Sequence, residues 1–92
     1  MIGSFNGQVT PGTNMIDVFR DDNRLRMRSF PHTTSFHLLH LAINAKAGTP
    51  FNLDGAQIVT PTTGIFEVCG EMTPLESLVF SEAATVNIIY YF

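Results

Sequence analysis

The chain has 92 residues, of which 45% are hydrophobic and 14% are charged, and its formal net charge is −3 at pH 7. This length fits one domain with a modest core, and the acidic balance argues against a general nucleic-acid-binding protein. No apolar run approaches the length of a membrane-spanning helix, and the N-terminus lacks the basic and apolar regions of a secretory signal, so we expect a protein made in a cytoplasm without signal-directed export.

Glycine and proline recur at short intervals, which leaves room for short strands and little room for helices. In chain order the pattern predicts strands at 5–9, 15–19, 24–30, 36–45, 51–53, 56–60, 64–68, 75–80 and 85–91. Short strands separated by turn signals predict an all-β fold, a β-sandwich of jelly-roll type with short antiparallel strands. Within this single domain, residues 1–30 are expected to form an extended N-terminal arm and an arginine-bearing strand, and residues 31–92 the sandwich module.

One segment has two interpretations. Thr34 and Ser35 followed by FHLLHLAINAKAG are compatible with a capped helix that ends at Gly48. As a strand, the same residues place Leu39, Leu41 and Ile43 on one face. We favour the strand.

The arginines are concentrated in the first third of the chain. In RLRMRSF, arginine alternates with other residues, so a strand here would present one guanidinium face. That face is either solvated and paired with nearby aspartates at 17, 21 and 22, or it docks on an acidic protein surface, because guanidinium groups suit bidentate pairing with carboxylates. On the second interpretation the partner-docking residues are Arg20, Arg24, Arg26 and Arg28.

The last nine residues, ATVNIIYYF, read as an apolar strand without a charged side chain. Positions 84, 86, 88, 90 and 92 are all apolar, so one face should meet the core. The other face begins with the polar Thr85 and Asn87 and then becomes apolar. We therefore expect the end of this strand to need cover on both faces, either from the rest of the domain or from a second copy. We favour assembly, with an oligomer interface at Ile89, Tyr91 and Phe92.

Catalytic and metal-binding patterns are weak. Cys69 has mainly apolar neighbours, which predicts a buried structural thiol. His32, His37 and His40 favour no metal site, since on a strand His37 and His40 would point to opposite faces. The sequence has no G-x-S-x-G, P-loop, G-x-G-x-x-G or H-E-x-x-H motif. We predict a protein that is not an enzyme and has no cofactor.

Three segments together resemble a small β-module of tailed-bacteriophage virion proteins: GTPFNLDGAQIVTPTTGIFEV (48–68), PLESLVF (74–80) and VNIIYYF (86–92). In that module a glycine precedes F-x-[IL]-[ND]-G, and T-G-I-[YF]-E, an I/L-x-S-L-x-F strand and a final I-I-x-Y strand follow. The resemblance covers about half of the chain. Tyr90 is a departure, because an aspartate often precedes the last tyrosine of the module. The matching residues are Gly48, Phe51, Leu53, Asp54, Gly55, Ile58, Thr63, Gly64, Ile65, Phe66, Glu67, Leu75, Ser77, Leu78, Phe80, Ile88, Ile89 and Tyr91.

The resemblance implies a non-enzymatic structural protein located in the virion after synthesis in the host cytoplasm. It suggests a capsid decoration protein that forms a homo-oligomer, expected to be a trimer, and binds the major capsid protein or another virion protein. No nucleic-acid or membrane partner is expected. The alternatives are a carbohydrate-binding or host-adhesion module of a tail fibre or tail tip, and a small cupin-like metalloenzyme.

Overall fold

The computed structural model describes residues 1–27, 30–31, 34–70 and 74–92. The strands form two antiparallel sheets, a four-stranded sheet in the order β1-β7-β2-β5 and a three-stranded sheet in the order β4-β3-β6. The predicted all-β class is confirmed, while the jelly-roll connection stays a prediction. In chain order the elements are β1 (Ile2–Gln8), α1 (Met15–Arg26), β2 (His37–Ala45), β3 (Pro50–Leu53), β4 (Ala56–Val59), β5 (Gly64–Cys69), β6 (Leu78–Phe80) and β7 (Thr85–Tyr91).

The predicted strand at 15–19 and the start of the predicted strand at 24–30 are wrong, because residues 15–26 form the helix α1. Residues 28 and 29 of the second prediction lie outside the described residues. Asn14 caps the helix, and its side-chain oxygen accepts a hydrogen bond from the backbone N–H of Ile16 at 3.2 Å. Met15, Ile16, Phe19 and Asn23 are buried on one side of α1. A helix is favoured over a strand here, because the helical spacing of these residues buries one continuous stripe that a strand would split between two faces.

The segment 36–48 contains a strand, β2, as favoured from the sequence. Its register shifts between Leu38 and His40, where Leu39 is the extra residue of a β-bulge. The bulge changes which positions face inward: Leu38 is buried before it, and Leu41 and Ile43 are buried after it. Leu39 is therefore exposed instead of sharing the core face with Leu41 and Ile43.

The first residues of the chain do not project as an arm. β1 pairs antiparallel with β7 along its whole length, from Ile2 opposite Tyr91 to Gln8 opposite Thr85. After β1, Val9 joins the same core as the buried side chains of α1. The expected extended arm is replaced by an edge strand of the four-stranded sheet and a helix packed on the core.

Aromatic rings join α1 to the inner face of the four-stranded sheet. The rings of Phe19 and Tyr90 stack with their centroids 4.2 Å apart, and Phe36 meets both rings edge-on. The Asn23 side chain donates hydrogen bonds to the Phe19 carbonyl at 2.7 Å and to the Tyr90 hydroxyl at 2.8 Å. Because Asn23 is buried, these bonds satisfy amide hydrogens that would otherwise be costly to enclose.

The three-stranded sheet contributes a second part of the core. Phe51 of β3 stacks on Phe80 of β6 with the centroids 5.3 Å apart, and it also lies near Phe66 of β5. The β3–β4 hairpin turns at Asp54 and Gly55, and both residues have positive φ, 51° and 86°. This sheet and α1 thus pack against the same inner face.

The helix α1 has 12 residues, and within the described ranges no helix is long and apolar enough to cross a membrane.

We expect Tyr90→Phe to change how stability depends on pH. Burial raises the pKa of Tyr90 above its ordinary value, while the hydrogen bond from Asn23 acts in the opposite direction. The folded state therefore favours the protonated phenol. The resulting contribution to the free energy of unfolding is fully present below about pH 10 and is lost as pH rises through the higher pKa of the folded state. Tyr90→Phe should cost about 1 kcal/mol at pH 7 and should lose less stability than the wild type above about pH 10.

Urea unfolding followed by circular dichroism between neutral and alkaline pH measures this difference. Tyr91→Phe is the matched control, because it removes a phenol that lies outside the core. Equal losses of stability in the wild type and in Tyr90→Phe above pH 10 would contradict the role given to the buried hydroxyl.

Candidate docking face

The four-stranded sheet has an inner face, which packs on the core, and an outer face that no described residue covers with a second layer. The outer face is defined by the side chains that alternate with the buried ones along each strand. Neighbouring strands place these side chains in rows that run across the sheet. From β1 to β5 the rows are Ile2–Tyr91–His37, Ser4–Ile89–His40–Cys69, Asn6–Asn87–Ala42–Glu67 and Gln8–Thr85–Asn44–Ile65.

One end of the outer face is apolar. Ile2 is 69% exposed, Tyr91 49% and Leu39 44%, and the half-buried Ile89 lies in the next row after Tyr91. The imidazole of His37 lies beside the Tyr91 ring at a centroid distance of 5.8 Å. We call Ile2, Leu39, Ile89 and Tyr91 the apolar end. Clustered exposed side chains of this kind mark interaction surfaces more often than single exposed ones do.

The middle of the outer face is a shallow concavity of about 420 Å³, and most of its accessible lining is apolar. We call it the polar concavity after the polar side chains at its rim. Its floor is the small side chain of Ala42, which Asn87 and Glu67 flank on the neighbouring strands. The Nε2 of His40 lies 3.8 Å from a carboxylate oxygen of Glu67, and both side chains are partly exposed. Asn6 stands directly opposite Asn87, so two amides lie side by side at the rim. Such groups can donate to and accept from a neutral polar ligand.

The structure separates the three residues of the predicted oligomer interface. Ile89 and Tyr91 lie on the outer face, next to Ser4 and Ile2 of β1. Phe92 instead belongs to the aromatic cluster of the core, with its ring centroid 5.7 Å from Phe36, and it also contacts Tyr90 and Phe30. Ile89 and Tyr91 thus lie on the uncovered face, and Phe92 mainly closes the core.

The predicted arginine stripe does not form. Arg20 donates a hydrogen bond to the Thr34 carbonyl at 3.3 Å and lies over the Phe36 ring, so it takes part in packing. Arg24 is exposed and pairs with Asp21 at 3.7 Å, which agrees with the local-ion-pair interpretation. Arg26 is also exposed, but it lies about 200° around the helix from Arg24, so the two side chains are on nearly opposite sides of α1. Arg28 lies outside the described residues.

Two predictions about the outer face were wrong. Cys69 is exposed at the end of β5, opposite His40, instead of buried. His37 and His40 lie on the same face, because the bulge at Leu39 restores the direction of the side chain after one extra residue. His32 lies outside the described residues. Among those that are described, no group of three or more His, Cys, Asp or Glu side chains is arranged to hold a metal ion.

The residues of the polar concavity were not singled out from the sequence. Asn6, Asn87, Ala42 and Glu67 are far apart in the chain, and only the strand order and register bring them into one row. The alternation within β7 was the one feature of the sequence that indicated part of this site, since it placed Asn87 on the same face as Ile89 and Tyr91.

No protein-family model, no curated protein and no solved structure matches this chain.

We expect neighbouring isoleucines of β7 to respond very differently to truncation. Ile88 is fully buried, so Ile88→Ala should lower the free energy of unfolding by about 2–5 kcal/mol. Ile89 is only half-buried on the outer face, so Ile89→Ala should cost about 1 kcal/mol or less. Urea unfolding of dilute protein provides both values. Equal losses of unfolding free energy in the two variants would show that another layer covers the outer face.

Proposed function

We propose that this chain is a non-enzymatic structural protein of a tailed-bacteriophage virion. In this proposal it is a capsid decoration protein that self-associates and uses its outer face to bind other virion proteins. The observation that carries the proposal is the uncovered outer face with its apolar end. Of the side chains in its four rows, Glu67 is the one carboxylate, and none is lysine or arginine. Few charges and clustered apolar groups are typical of the core of a protein interface.

The virion assignment rests on the resemblance of residues 48–68, 74–80 and 86–92 to the phage module. Several matching residues have clear structural roles that a related fold would also need. Asp54 accepts hydrogen bonds from the backbone N–H groups of Glu76 and Ser77, which ties the β3–β4 turn to the approach to β6. Gly64 has a φ of 112° at the start of β5, a conformation that L side chains rarely adopt.

A docking surface on α1 competes with the outer face. Arg24 and Arg26 are exposed and remain available to an acidic partner, although Arg24 already has Asp21 as a neighbour. The outer face is the stronger candidate, because exposed ion pairs contribute little to binding, whereas buried aromatic and aliphatic anchors contribute most.

The test is co-sedimentation of the purified protein with heads of the bacteriophage that encodes it. Ile89→Thr/Tyr91→Thr should weaken binding by at least about tenfold, because it removes two apolar anchors while keeping strand-forming residues. Arg24→Gln/Arg26→Gln is the matched double variant on α1 and should bind like the wild type.

The possible results separate the surfaces. If the arginine variant loses binding and the strand variant keeps it, docking belongs to α1. If the wild type binds neither heads nor any other part of the virion, the proposed function is wrong.

The polar concavity specifically favours the alternative, a carbohydrate-binding module of a tail tip. Amides, an imidazole and a carboxylate converge there, and these groups match the hydroxyls of a sugar. On this alternative a glycan array should show binding that Asn87→Ala abolishes and that the more distant Gln57→Ala on β4 preserves. Absence of binding to any glycan would exclude it.

A further inference from the structure

The free edge of β1 can be located residue by residue. Met1 and Phe92 exchange backbone hydrogen bonds in both directions, and the N–H of Val9 donates to the Ala84 carbonyl at 2.9 Å. The register between these two points has no bulge. Because hydrogen-bonded pairs alternate along an antiparallel ladder, the odd residues of β1 bond to β7. The backbone N–H and C=O groups that point away from β7 are those of Ile2, Ser4, Asn6 and Gln8.

This edge lacks the features that usually prevent strands from pairing between molecules. Exposed edges are commonly protected by lysine, proline, a bulge or an inward-pointing charge. The sequence of β1, IGSFNGQ, has no charged residue and no proline, and its pairing with β7 is regular. None of the described residues pairs with its outer side, where β1 is the terminal strand of the sheet.

The central five residues of β1 are also symmetric in chemical character. Around Phe5 the sequence reads glycine, small polar, phenylalanine, polar, glycine, from Gly3 to Gly7. Two copies of a strand related by a two-fold axis place each residue opposite its mirror position, so such a pairing requires a strand that is complementary to itself about the axis. A partner of a different sequence places no such demand on β1.

Building on the self-association in the proposed function, we propose that two copies pair antiparallel through their β1 edges about a two-fold axis at Phe5. In this register Ser4 faces Asn6 of the second copy, and Ile2 faces its Gln8. All four residues with free backbone groups then find partners, and each such pair exchanges two hydrogen bonds. Shifting the register by two residues in either direction leaves one of the four without a partner.

Side chains on both faces fit this pairing. On the inner side the two Phe5 rings meet at the axis, and Gly3 of one copy lies opposite Gly7 of the other, which leaves room for the rings. On the outer side only neutral side chains face one another. The two four-stranded sheets become one continuous sheet, and their outer faces form one docking surface with an apolar end at each side.

A two-fold pairing predicts a dimer, in contrast to the trimer expected from the sequence. Sedimentation equilibrium of the full chain should show reversible association from 10.2 kDa to twice that mass as concentration rises. A trimer, or a monomer up to on the order of 1 mM, would overturn the proposal.

Charge substitutions test the register. Ser4→Lys/Asn6→Lys places lysine opposite lysine twice across the axis and should weaken the dimer by at least about tenfold. Ser4→Lys/Asn6→Glu changes the same positions but places lysine opposite glutamate twice, so it should dimerise at least as well as the wild type. Within one copy the cross-strand neighbours on β7, Ile89 and Asn87, are uncharged, so both variants should fold. Equal weakening in both variants, or in neither, would overturn the pairing.

Amide hydrogen exchange provides a second measurement on the unaltered chain. Exchange of Ser4 and Asn6 should slow as the protein concentration rises, whereas Phe5, which already bonds to β7, should be slow throughout. Concentration-independent exchange at Ser4 and Asn6 would contradict the proposal. A monomer that still co-sediments with phage heads would overturn only the dimer, and a dimer that binds no virion part would overturn only the virion function.

Discussion

The contact between Tyr90 and α1 determines how the two layers of this protein meet. Tyr90 lies near the end of β7, where its ring stacks on Phe19 and its hydroxyl accepts a hydrogen bond from Asn23. On its other side the ring lies against Gly3 of β1, where any larger residue would overlap it. One side chain therefore contacts the edge strand, the helix and the aromatic cluster, and it is almost completely buried. Stacking, burial and a satisfied hydroxyl act together at this position.

This contact also explains why the chain needs a helix in a mostly β fold. The three-stranded sheet has short strands, and β6 has only three residues. α1 adds the missing cover: its cap residue Asn14 bridges to Val79 in β6 and accepts a hydrogen bond from the N–H of Leu78, and its buried side reaches Tyr90. With the inner face covered in this way, the outer face is left as the broad open surface of the described sheet. That asymmetry is the structural basis of the docking function that we propose.

Most strands could be predicted from the sequence, because glycine and proline mark their ends and alternation marks their faces. The alternation in β7 correctly separated Ile88 and Tyr90 from Ile89 and Tyr91. The helix was missed because alternating arginines resembled a strand, although Asn14 followed by Met15, Ile16 and Phe19 carried a cap and a helical stripe. The bulge and the strand register could not be predicted from the sequence, because they depend on contacts between distant strands. They decide that His37 and His40 share a face and that Asn6, Asn87, Ala42 and Glu67 form one row.

Tyr90 is also the position at which the sequence differs from the phage module that it resembles. An aspartate at position 90 would bury a carboxylate between Phe19 and Phe36, at a high cost in solvation. Tyrosine fills that space and still offers a hydroxyl to Asn23. Tyrosine at this position thus fits the contacts made by α1, which lies outside the three segments that carry the resemblance.

A nuclear Overhauser experiment on the full-length chain tests whether α1 packs on β7 in this way. The structure predicts strong cross-peaks from the ring protons of Tyr90 to those of Phe19 and Phe36, and from the Asn23 side-chain amide to the Tyr90 ring. Absence of these cross-peaks, with the Tyr90 ring open to solvent, would contradict the account. The inner face would then lack its cover, and the outer face would no longer be distinguished as the open one.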